Sequence, residues 1–386
     1  MITVEQATVQ MRQAVIRLPA EMIAVSEATG RCTSREVKAP HDHPLFDMSA
    51  VDGYALALTT HNEWEVIGEV AAGSVFDRAL TEDESVRIFT GAIVPEGAEA
   101  VVMQEFVERI GDRISHTDER LHNGGNIRRQ AEQVRNGDVL LPAGITLNAA
   151  AIGLLASVGV GMVEVAKRPN VLVIVTGDEF TGIEQPLPGK IFSSNDVLLV
   201  SILSAYANIE VVHAKDTIAA LSQQFSSGAD QYDLVLTTGG VSVGDHDLVA
   251  RVLNDLQAEI RFHGVQQKPG KPMLFAQLGI TPVIGLPGNP RAVFVLCYVY
   301  VLPFLRAMSG IPWSYCERSP LTEAVEKKGD RAEFRAARIA NGAIELLRDE
   351  GSHMLRSLIE ANALVYLPAD RSHWAQNDPV QFYPLS

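Results

Sequence analysis

Between residues 171 and 308, short apolar segments alternate with segments of helical periodicity, and this alternation restricts the fold more than any other feature. The segments in chain order are VLVIVTG, NDVLLVSILSAY, IEVVHA, TIAALSQQF, DLVLTTGG, DLVARVLNDL and EIRFHGV. The strands among them are apolar along their whole length, which is typical of strands covered by helices on both faces. The pattern predicts a doubly wound, parallel α/β domain. A hairpin over MLFAQLGITPVIGL and a long helix from Pro290 are expected to follow it.

The rest of the chain predicts further domains, because 386 residues exceed what a single core usually holds. Residues 3–18 have helical spacing, whereas residues 50–135 and the C-terminal segment consist of short strands separated by turns. The expected fold class is therefore a multidomain α/β and β protein. The predicted domains are an elongated, discontinuous N-terminal module (1–49 and 136–168), a β-rich domain (50–135), the α/β domain (169–312) and a small C-terminal β barrel (313–386).

The charge and the cysteines exclude several classes of function. A net charge of −15 argues against an electrostatic grip on nucleic acid or on anionic membranes, so neither is expected as a partner. Cys32, Cys297 and Cys316 form no CxxC pair and no disulfide framework, which fits a reducing compartment. The apolar stretch 292–305 is too short to span a bilayer and predicts a buried helix. Because the N-terminus lacks a signal-peptide pattern, we expect a cytoplasmic protein.

Three loops that follow apolar segments carry the residues best suited to chemistry. Ligands of open parallel sheets bind outside the carboxyl ends of the strands, where such loops meet. In TGDEF and TTGGVSVGDHD, glycines let the backbone approach a ligand and carboxylates can bind a cation. In GLPGNP, an asparagine and a proline predict a helix start whose N–H groups can bind an anion. The candidate residues are Thr176, Glu179, Gly239, Gly240, Ser242, Asp245, Asp247, Pro287, Asn289 and Pro290.

The KPGKP segment adds two cations. Its Pro-Gly-Pro frame holds Lys268 and Lys271 three residues apart, so both ammonium groups can face one anion. Lysines and carboxylates together suit a phosphorylated ligand whose charge is shared with Mg²⁺. Each motif alone has a simpler explanation: Asp247 can cap a helix, TGDE can be a turn, and KPGKP can be a solvated loop. Their occurrence at strand ends of one sheet favours a shared site.

Longer motifs identify a family. In chain order they are PLFDMSAVDGYAL, FTGAIVPEGAEAVVMQE, GGNIRR, TGDE, TTGGVSVGDHD, KPGKP, GLPGNP and EANALVYLP. In these motifs and their order the chain resembles the MoeA family, the molybdopterin molybdenumtransferases, which are related to the E domain of gephyrin. The resemblance covers nearly the whole chain.

The resemblance implies a homodimer of four-domain subunits in which the α/β domain is MogA-like. It implies an active site between this domain of one subunit and the β-rich domain of the other. The implied reaction inserts molybdenum from molybdate into adenylylated molybdopterin and releases AMP, with Mg²⁺ or a similar divalent ion. Molybdopterin adenylyltransferase is the expected pathway partner.

The resemblance also implies roles for individual residues. The expected catalytic acids are Asp52, Glu179, Asp216 and Asp247, and the expected metal ligands are Glu179, Asp245 and Asp247. Lys268 and Lys271 are the expected anion-binding residues. The other expected substrate-binding residues are Thr176, Gly239, Gly240, Ser242, Pro287, Asn289, Pro290 and Ser352.

Four positions depart from the family pattern, each in charge or in hydrogen bonding. Gln133 replaces an acid, Gly264 replaces a lysine, and Ala292 replaces a serine, with a guanidinium beside it. In EFRAAR, either Arg335 or Arg338 takes the place of the arginine in the family's E-F-x-R. The departures support a second hypothesis, a weakened paralogue that binds molybdopterin nucleotide as a regulatory or carrier protein. A third hypothesis, adenylylation of molybdopterin as in the MogA-type single domain, is disfavoured by the flanking domains.

Overall fold

The computed structural model of the protein describes most of the chain. The described residues are 1–177, 180–181, 188–241, 248–313, 316–348, 351 and 354–385. Some candidate site residues lie outside them, namely Glu179, Ser242, Asp245, Asp247 and Ser352. The chain forms a larger unit (Met1–Glu21, Gly30–Ser34 and Val165–Ser386) and a smaller unit (Met22–Thr29 and Arg35–Glu164). The finer division into four domains stays a prediction.

Helices and strands are numbered in chain order. The helices are α1 (Val4–Gln13), α2 (Ala149–Ser157), α3 (Asn195–Leu203), α4 (Ile218–Gln231), α5 (Leu248–Asp255), α6 (Pro290–Leu296), α7 (Leu302–Met308) and α8 (Arg356–Glu360). The first strands are β1 (Ala20–Ala24), β2 (Val37–Lys38), β3 (Met48–Ser49), β4 (Gly53–Leu56), β5 (Trp64–Val70), β6 (Glu84–Ile88), β7 (Ala100–Met103), β8 (Val107–Ile110), β9 (Arg113–His116), β10 (Ile127–Arg128), β11 (Val139–Leu141), β12 (Met162–Ala166) and β13 (Asn170–Thr176). The remaining strands are β14 (Phe180–Thr181), β15 (Ile191–Phe192), β16 (Asn208–Ala214), β17 (Leu234–Thr238), β18 (Glu259–His263), β19 (Gln267–Lys268), β20 (Leu274–Leu278), β21 (Thr281–Leu286), β22 (Glu317–Pro320), β23 (Val325–Glu326), β24 (Ala332–Ala340), β25 (Ala343–Leu346), β26 (Ala363–Leu367), β27 (His373–Trp374) and β28 (Pro379–Pro384).

The smaller unit is built around a six-stranded sheet. The strand order is β7-β4-β6-β5-β9-β8, and all neighbours are antiparallel except β5 and β6. Strand β4 is buried on both faces, because Ala55 belongs to one apolar cluster while Tyr54 and Leu56 belong to another. Alternating residues of a strand point to opposite faces, so this sheet is covered on both sides at its centre. The β-rich character expected from the sequence is confirmed.

The larger unit contains the α/β sheet that the sequence predicts. Its strand order is β16-β13-β17-β21-β20-β18. The first four strands are parallel, and β20 runs antiparallel to both of its neighbours, β21 and β18, so the sheet is mixed rather than wholly parallel. Helices cover both faces: Val173 of β13 packs in the cluster that contains α3 and α6, and Leu172 packs in the cluster that contains α4 and α5. The expected doubly wound fold and the hairpin of β20 and β21 are confirmed.

A second sheet of the larger unit is formed mainly by C-terminal strands. Its order is β19-β24-β26-β28-β22, with β25 paired to β24. Strand β19 comes from the KPGKP segment, and its Gln267 and Lys268 lie parallel to Ala332 and Glu333 of β24. Strand β19, which lies between β18 and β20 in the chain, therefore belongs to the C-terminal sheet and not to the α/β sheet. This pairing joins residues that are far apart in sequence.

The helical stretch Pro290–Met308 runs through the core of the larger unit. It comprises α6, a π-helical turn (Cys297–Val301) and α7, and it contains Pro303. Among the described residues it is the one helix long and apolar enough to cross a membrane, with a mean hydropathy of 1.6. However, 78% of this apolar stretch is buried inside the protein, as is typical of a core helix. The expected buried helix is confirmed, and it is longer than the stretch 292–305.

A cation-rich cavity as the candidate active site

A cavity of about 970 Å³ lies at the carboxyl end of β21 and beside β19 and β24, entirely within the larger unit. Its volume is in the range of small-molecule binding sites. The described residues that line it are Ile191, Gln267, Lys268, Pro269, Gly270, Lys271, Pro272, Pro287, Gly288, Asn289, Pro290, Arg291, Ala292, Arg331, Glu333, Phe334, Arg335 and Gly351. The cavity therefore brings together the KPGKP and GLPGNP motifs, as the sequence predicts.

The cavity is strongly basic although the protein as a whole carries a net charge of −15. The described lining residues include two lysines, three arginines and a single carboxylate, that of Glu333. Glu333 is only 5% exposed, and its Oε2 accepts hydrogen bonds from Nε (2.8 Å) and Nη2 (2.6 Å) of Arg335. The Nζ of Lys268 is farther from this carboxylate, at 3.9 Å, and the Lys268 side chain is half exposed. Glu333 thus compensates Arg335 mainly, and the surplus positive charge suits an anionic ligand.

The loop that carries the two lysines is closed at its base and is tightly packed. The N–H of Val265 donates to the carbonyl oxygen of Lys271 (2.9 Å). Gly270 has a φ of +86°, and a Cβ at this position would lie 2.6 Å from a side-chain carbon of Leu296. Both the backbone conformation and the close approach require glycine. The sequence KPGKP therefore specifies one compact loop, not a solvated linker.

The guanidinium of Arg291 belongs to the cavity wall and is only 2% exposed. Its Nη1 donates to the hydroxyl of Ser357 (2.8 Å) and to the carbonyl oxygen of Met354 (3.1 Å). These contacts join the start of α6 to the segment that leads into α8. Where the family pattern has Val-Ser, this chain has Arg291 and a buried Ala292, and Arg291 binds a serine from elsewhere in the chain.

Asn289 and Pro290 begin the long helix as predicted. Asn289 is the N-cap residue with extended backbone, and Pro290 occupies the first turn. The predicted N-cap position of Asn289 is confirmed, although its side chain makes no capping hydrogen bond. Instead, the buried Asn195 holds the loop, because its Nδ2 donates to the carbonyl oxygen of Gly288 (2.8 Å).

Thr176, Gly239 and Gly240 lie together at the carboxyl edge of the parallel strands. A Cβ on Gly239 would lie 2.8 Å from Oγ1 of Thr176, and one on Gly288 would lie 3.8 Å from Cα of Gly239. The N–H of Gly239 also donates to the carbonyl oxygen of Leu286 (3.0 Å). The ends of β13, β17 and β21 therefore meet, as the sequence predicts. These three residues are not part of the cavity wall.

Two predicted catalytic acids are not among the residues that line the cavity. Asp216 is exposed and follows β16, the outermost strand of the α/β sheet. Asp52 lies in the smaller unit, where its Oδ1 accepts hydrogen bonds from the N–H (2.8 Å) and the hydroxyl (2.9 Å) of Thr90. The Thr90 N–H, its hydroxyl and the charge of Arg87 lower the pKa of Asp52. Asp52 is therefore an ionised, partly exposed carboxylate near neutral pH.

The departures from the family pattern have structural correlates. Gly264 has a φ of +92°, and a Cβ there would lie 2.9 Å from Cγ of Met1, so a lysine would be strained in this backbone. Gln133 is exposed in the smaller unit. The register of β24 decides between the two arginines: Arg335 lines the cavity, whereas Arg338 is exposed and lies opposite Glu345.

No cluster of three potential metal ligands occurs among the histidine, cysteine, aspartate and glutamate residues that the structure describes. The three predicted ligands of Mg²⁺ all lie outside the described ranges: Glu179, Asp245 and Asp247. The metal site therefore stays a prediction.

The sequence did not indicate several residues that shape the cavity. They are Asn195, Gln267, Tyr300 and Arg331. Gln267 is completely buried, and a polar residue directly before KPGKP was the available signal. The EFRAAR motif singled out part of β24, but the place of this strand at the cavity had no local signal, because it depends on pairing with the distant strand β19.

Comparisons with known proteins agree with this arrangement. Family models described as the MoeA N-terminal region (domain I and II), a probable molybdopterin binding domain and the MoeA C-terminal region (domain IV) match residues 2–159, 172–307 and 318–385. A molybdopterin molybdenumtransferase of Nostoc sp. is 34% identical and is matched over 90% of this chain and 85% of its own length. One of Haemophilus influenzae is 32% identical over 100% of this chain and 99% of its own. The crystal structure of a molybdopterin biosynthesis MoeA protein from Pyrococcus horikoshii has a TM-score of 0.84 at 27% identity and covers 100% of both chains. The resemblance seen in the sequence motifs is confirmed, and the chain belongs to the MoeA family.

Proposed function

We propose that this protein is a molybdopterin molybdenumtransferase of molybdenum cofactor biosynthesis. It takes molybdenum from molybdate, inserts it into adenylylated molybdopterin and releases AMP. The observation that carries the proposal is the basic cavity of about 970 Å³ formed by the KPGKP and GLPGNP motifs. Relatives that are 34% and 32% identical over most of their length bear the name of this activity.

In this proposal the cavity binds the anionic groups of the substrates. The ammonium groups of Lys268 and Lys271 pair with phosphate or molybdate oxygens, and Arg291 and Arg331 add to the positive charge of the surrounding wall. Charge-assisted hydrogen bonds to such oxygens are among the strongest that proteins make. Backbone N–H groups at the start of the long helix, next to Asn289, favour the same kind of ligand.

A divalent ion, Mg²⁺ or a similar one, is part of the proposal, with Glu179, Asp245 and Asp247 as its ligands. When bound, it neutralises pyrophosphate charge. We expect Asp247→Asn to fold normally, since asparagine also caps helices, and to lose most Mg²⁺-dependent turnover. If turnover is unchanged, Asp247 serves only as a helix cap.

Further parts of the proposal rest on the family resemblance. They are the homodimer, the cytoplasmic location, the pathway link to molybdopterin adenylyltransferase and the catalytic roles of Asp52 and Asp216. Sedimentation equilibrium tests the homodimer.

The test of the proposed function is turnover by the purified protein. Adenylylated molybdopterin, molybdate and Mg²⁺ are supplied, and AMP release and molybdenum incorporation are measured together. We expect one AMP for each molybdenum inserted. Tight binding of the nucleotide without AMP release would instead indicate a binding or carrier protein, and ATP-dependent adenylylation of molybdopterin would indicate the reaction of the MogA-type domain.

A further inference from the structure

The loop that carries Lys268 and Lys271 is supported by one buried polar side chain. Gln267 is completely buried and directly precedes Lys268. Its Nε2 donates a hydrogen bond across the loop to the carbonyl oxygen of Gly270 (3.0 Å). Its Oε1 accepts a hydrogen bond from the hydroxyl of Tyr300 (2.7 Å), which is itself 0% exposed. These groups form a chain of hydrogen bonds from the long core helix to the loop.

The orientation of the Gln267 amide follows from its two partners. The carbonyl oxygen of Gly270 can only accept, so the amide presents its NH₂ group to it. The amide oxygen then faces Tyr300, whose hydroxyl must donate. Burial raises the pKa of Tyr300 well above the ordinary value for tyrosine, so the hydroxyl keeps the proton that it donates.

Backbone contacts fix only the ends of this loop. The N–H of Val265 donates to Lys271, and β19 is paired with β24. Pro269 and Pro272 have no N–H group with which to hold the segment between. The contact from Gln267 to Gly270 is therefore the side-chain bond that ties the turn to the core.

Gln267 and Tyr300 are buried, and burial of polar groups costs folding free energy unless they form hydrogen bonds. A buried amide loses its hydration and must recover it through hydrogen bonds, whereas an apolar residue would fill the same space without that cost. Tyr300 also lies in the π-helical turn Cys297–Val301, and such turns inside helices are often found at functional sites. A polar pair in this place indicates a requirement on the geometry of the loop, beyond filling the core.

We propose that Tyr300 and Gln267 are positioning residues that set the separation and direction of the Lys268 and Lys271 ammonium groups. This inference rests on the proposed function, in which these lysines bind the anionic groups of the substrate. Neither positioning residue contacts the ligand through its hydrogen-bonding groups; both act through the carbonyl of Gly270.

The test uses substitutions that keep volume and remove hydrogen bonds. Gln267→Met removes both bonds of the amide, and Tyr300→Phe removes one. The matched control is Tyr232→Phe, which removes a hydroxyl bonded to Glu210 near the amino end of β17, the opposite end of the sheet. The Kd of molybdate and of inorganic pyrophosphate is measured by isothermal titration calorimetry, KM and kcat by AMP release, and folding by Tm.

We expect Gln267→Met to raise Kd and KM about tenfold and Tyr300→Phe about threefold, with a smaller change in kcat, since each lost hydrogen bond is worth a factor of this size. The control should bind like the wild type. The double variant Gln267→Met/Tyr300→Phe should bind no more weakly than Gln267→Met alone, because both substitutions act through one amide. If the increases in Kd of the two single variants multiply in the double variant, Tyr300 does not act through the Gln267 amide.

A Lys268→Ala/Lys271→Ala variant separates this inference from the proposed function. If it loses anion binding while the Gln267 and Tyr300 variants keep the wild-type Kd and KM, the positioning role is wrong and the proposed function stands. If it binds like the wild type, the anion is bound elsewhere and the positioning inference falls, whereas the proposed function is decided separately by AMP release and molybdenum incorporation. A Gln267→Met protein with a lower Tm and unchanged Kd also overturns the inference. If Gln267→Met does not fold, the Kd and KM of Tyr300→Phe, which keeps the Gln267 amide, test the inference.

Discussion

The cavity of the larger unit and the Asp52–Thr90 pair of the smaller unit both contain charged groups, but these groups are held in different ways. The cations of the cavity stand beside buried polar side chains: Gln267, Arg291 and Glu333 are 0%, 2% and 5% exposed. Asp52 is partly exposed, and its carboxylate accepts both of its hydrogen bonds from Thr90. Charge geometry in the cavity therefore depends on the core, whereas the ionisation of Asp52 depends mainly on one neighbour.

The largest effect is expected from the two lysines. Lys268→Ala/Lys271→Ala should lower kcat/KM about 1,000-fold, because two charge-assisted contacts of about 1.5–3 kcal/mol each are lost. The exposed Lys167 gives a matched control, and Lys167→Ala should leave turnover unchanged. AMP release measures both. A loss below about tenfold would mean that the substrate anion is bound elsewhere.

Gly270→Ala should cause the next largest effect, now on stability. The new methyl group meets Leu296 at 2.6 Å and the backbone has a φ of +86°, so we expect a loss of about 3 kcal/mol in the free energy of unfolding. Gly279 also has a positive φ, but nothing lies within 4 Å of its added Cβ. Gly279→Ala should cost about 1 kcal/mol, and urea denaturation measures the difference. Equal losses would show that the close approach to Leu296 has no energetic consequence.

Arg291→Met should have an intermediate effect on stability. It removes a buried donor and leaves the hydroxyl of Ser357 without this partner, which we expect to cost about 2 kcal/mol. Arg338 is exposed on β24, and Arg338→Met should lie within about 0.5 kcal/mol of the wild type. If both variants unfold at the same denaturant concentration, the guanidinium does not hold α6 and the segment before α8 together.

The smallest effect is expected at Asp52 in the smaller unit. The backbone N–H of Thr90 lowers the pKa of Asp52 most and is kept in Thr90→Val, so the loss of the hydroxyl should raise this pKa only part of the way towards its ordinary value. A carboxyl whose folded pKa is lowered adds stability above its unfolded pKa, and this is lost as the pH falls through the folded pKa. Thr117→Val, which removes a hydroxyl bonded to the carbonyl of Phe106, is the control. An NMR titration of the Asp52 carboxyl carbon that shows the same midpoint in all three proteins would refute the role of the Thr90 hydroxyl.

The sequence predicted the parts of the site that depend on local patterns. Apolar strands that alternate with helices place loops at one edge of a sheet, and KPGKP and GLPGNP do line one cavity there. The parallel direction of β13, β17 and β21 followed from the same alternation, and the hairpin motif indicated the reversal of β20 against β21. The pairing of β18 with β20 had no local signal, because the apolar pattern does not encode which strand lies at the edge of the sheet.

The supports of the cavity could not be predicted, because they depend on contacts between distant segments. Gln267 meets Tyr300 only after the long helix packs beneath the loop. Glu333 reaches the cavity because β24 pairs with β19, and the same register places Arg335 at the cavity while it exposes Arg338. A shift of one residue in such a pairing would reverse which side chains face the site.

The central claim is that the basic cavity of the larger unit binds the substrate anion. Crystals soaked in molybdate, with anomalous diffraction measured at the molybdenum absorption edge, locate the metal directly. We predict a peak inside the cavity, within hydrogen-bond reach of the Lys268 and Lys271 side chains, that disappears in the Lys268→Ala/Lys271→Ala variant. A molybdenum peak outside the cavity that persists in this variant would contradict the claim.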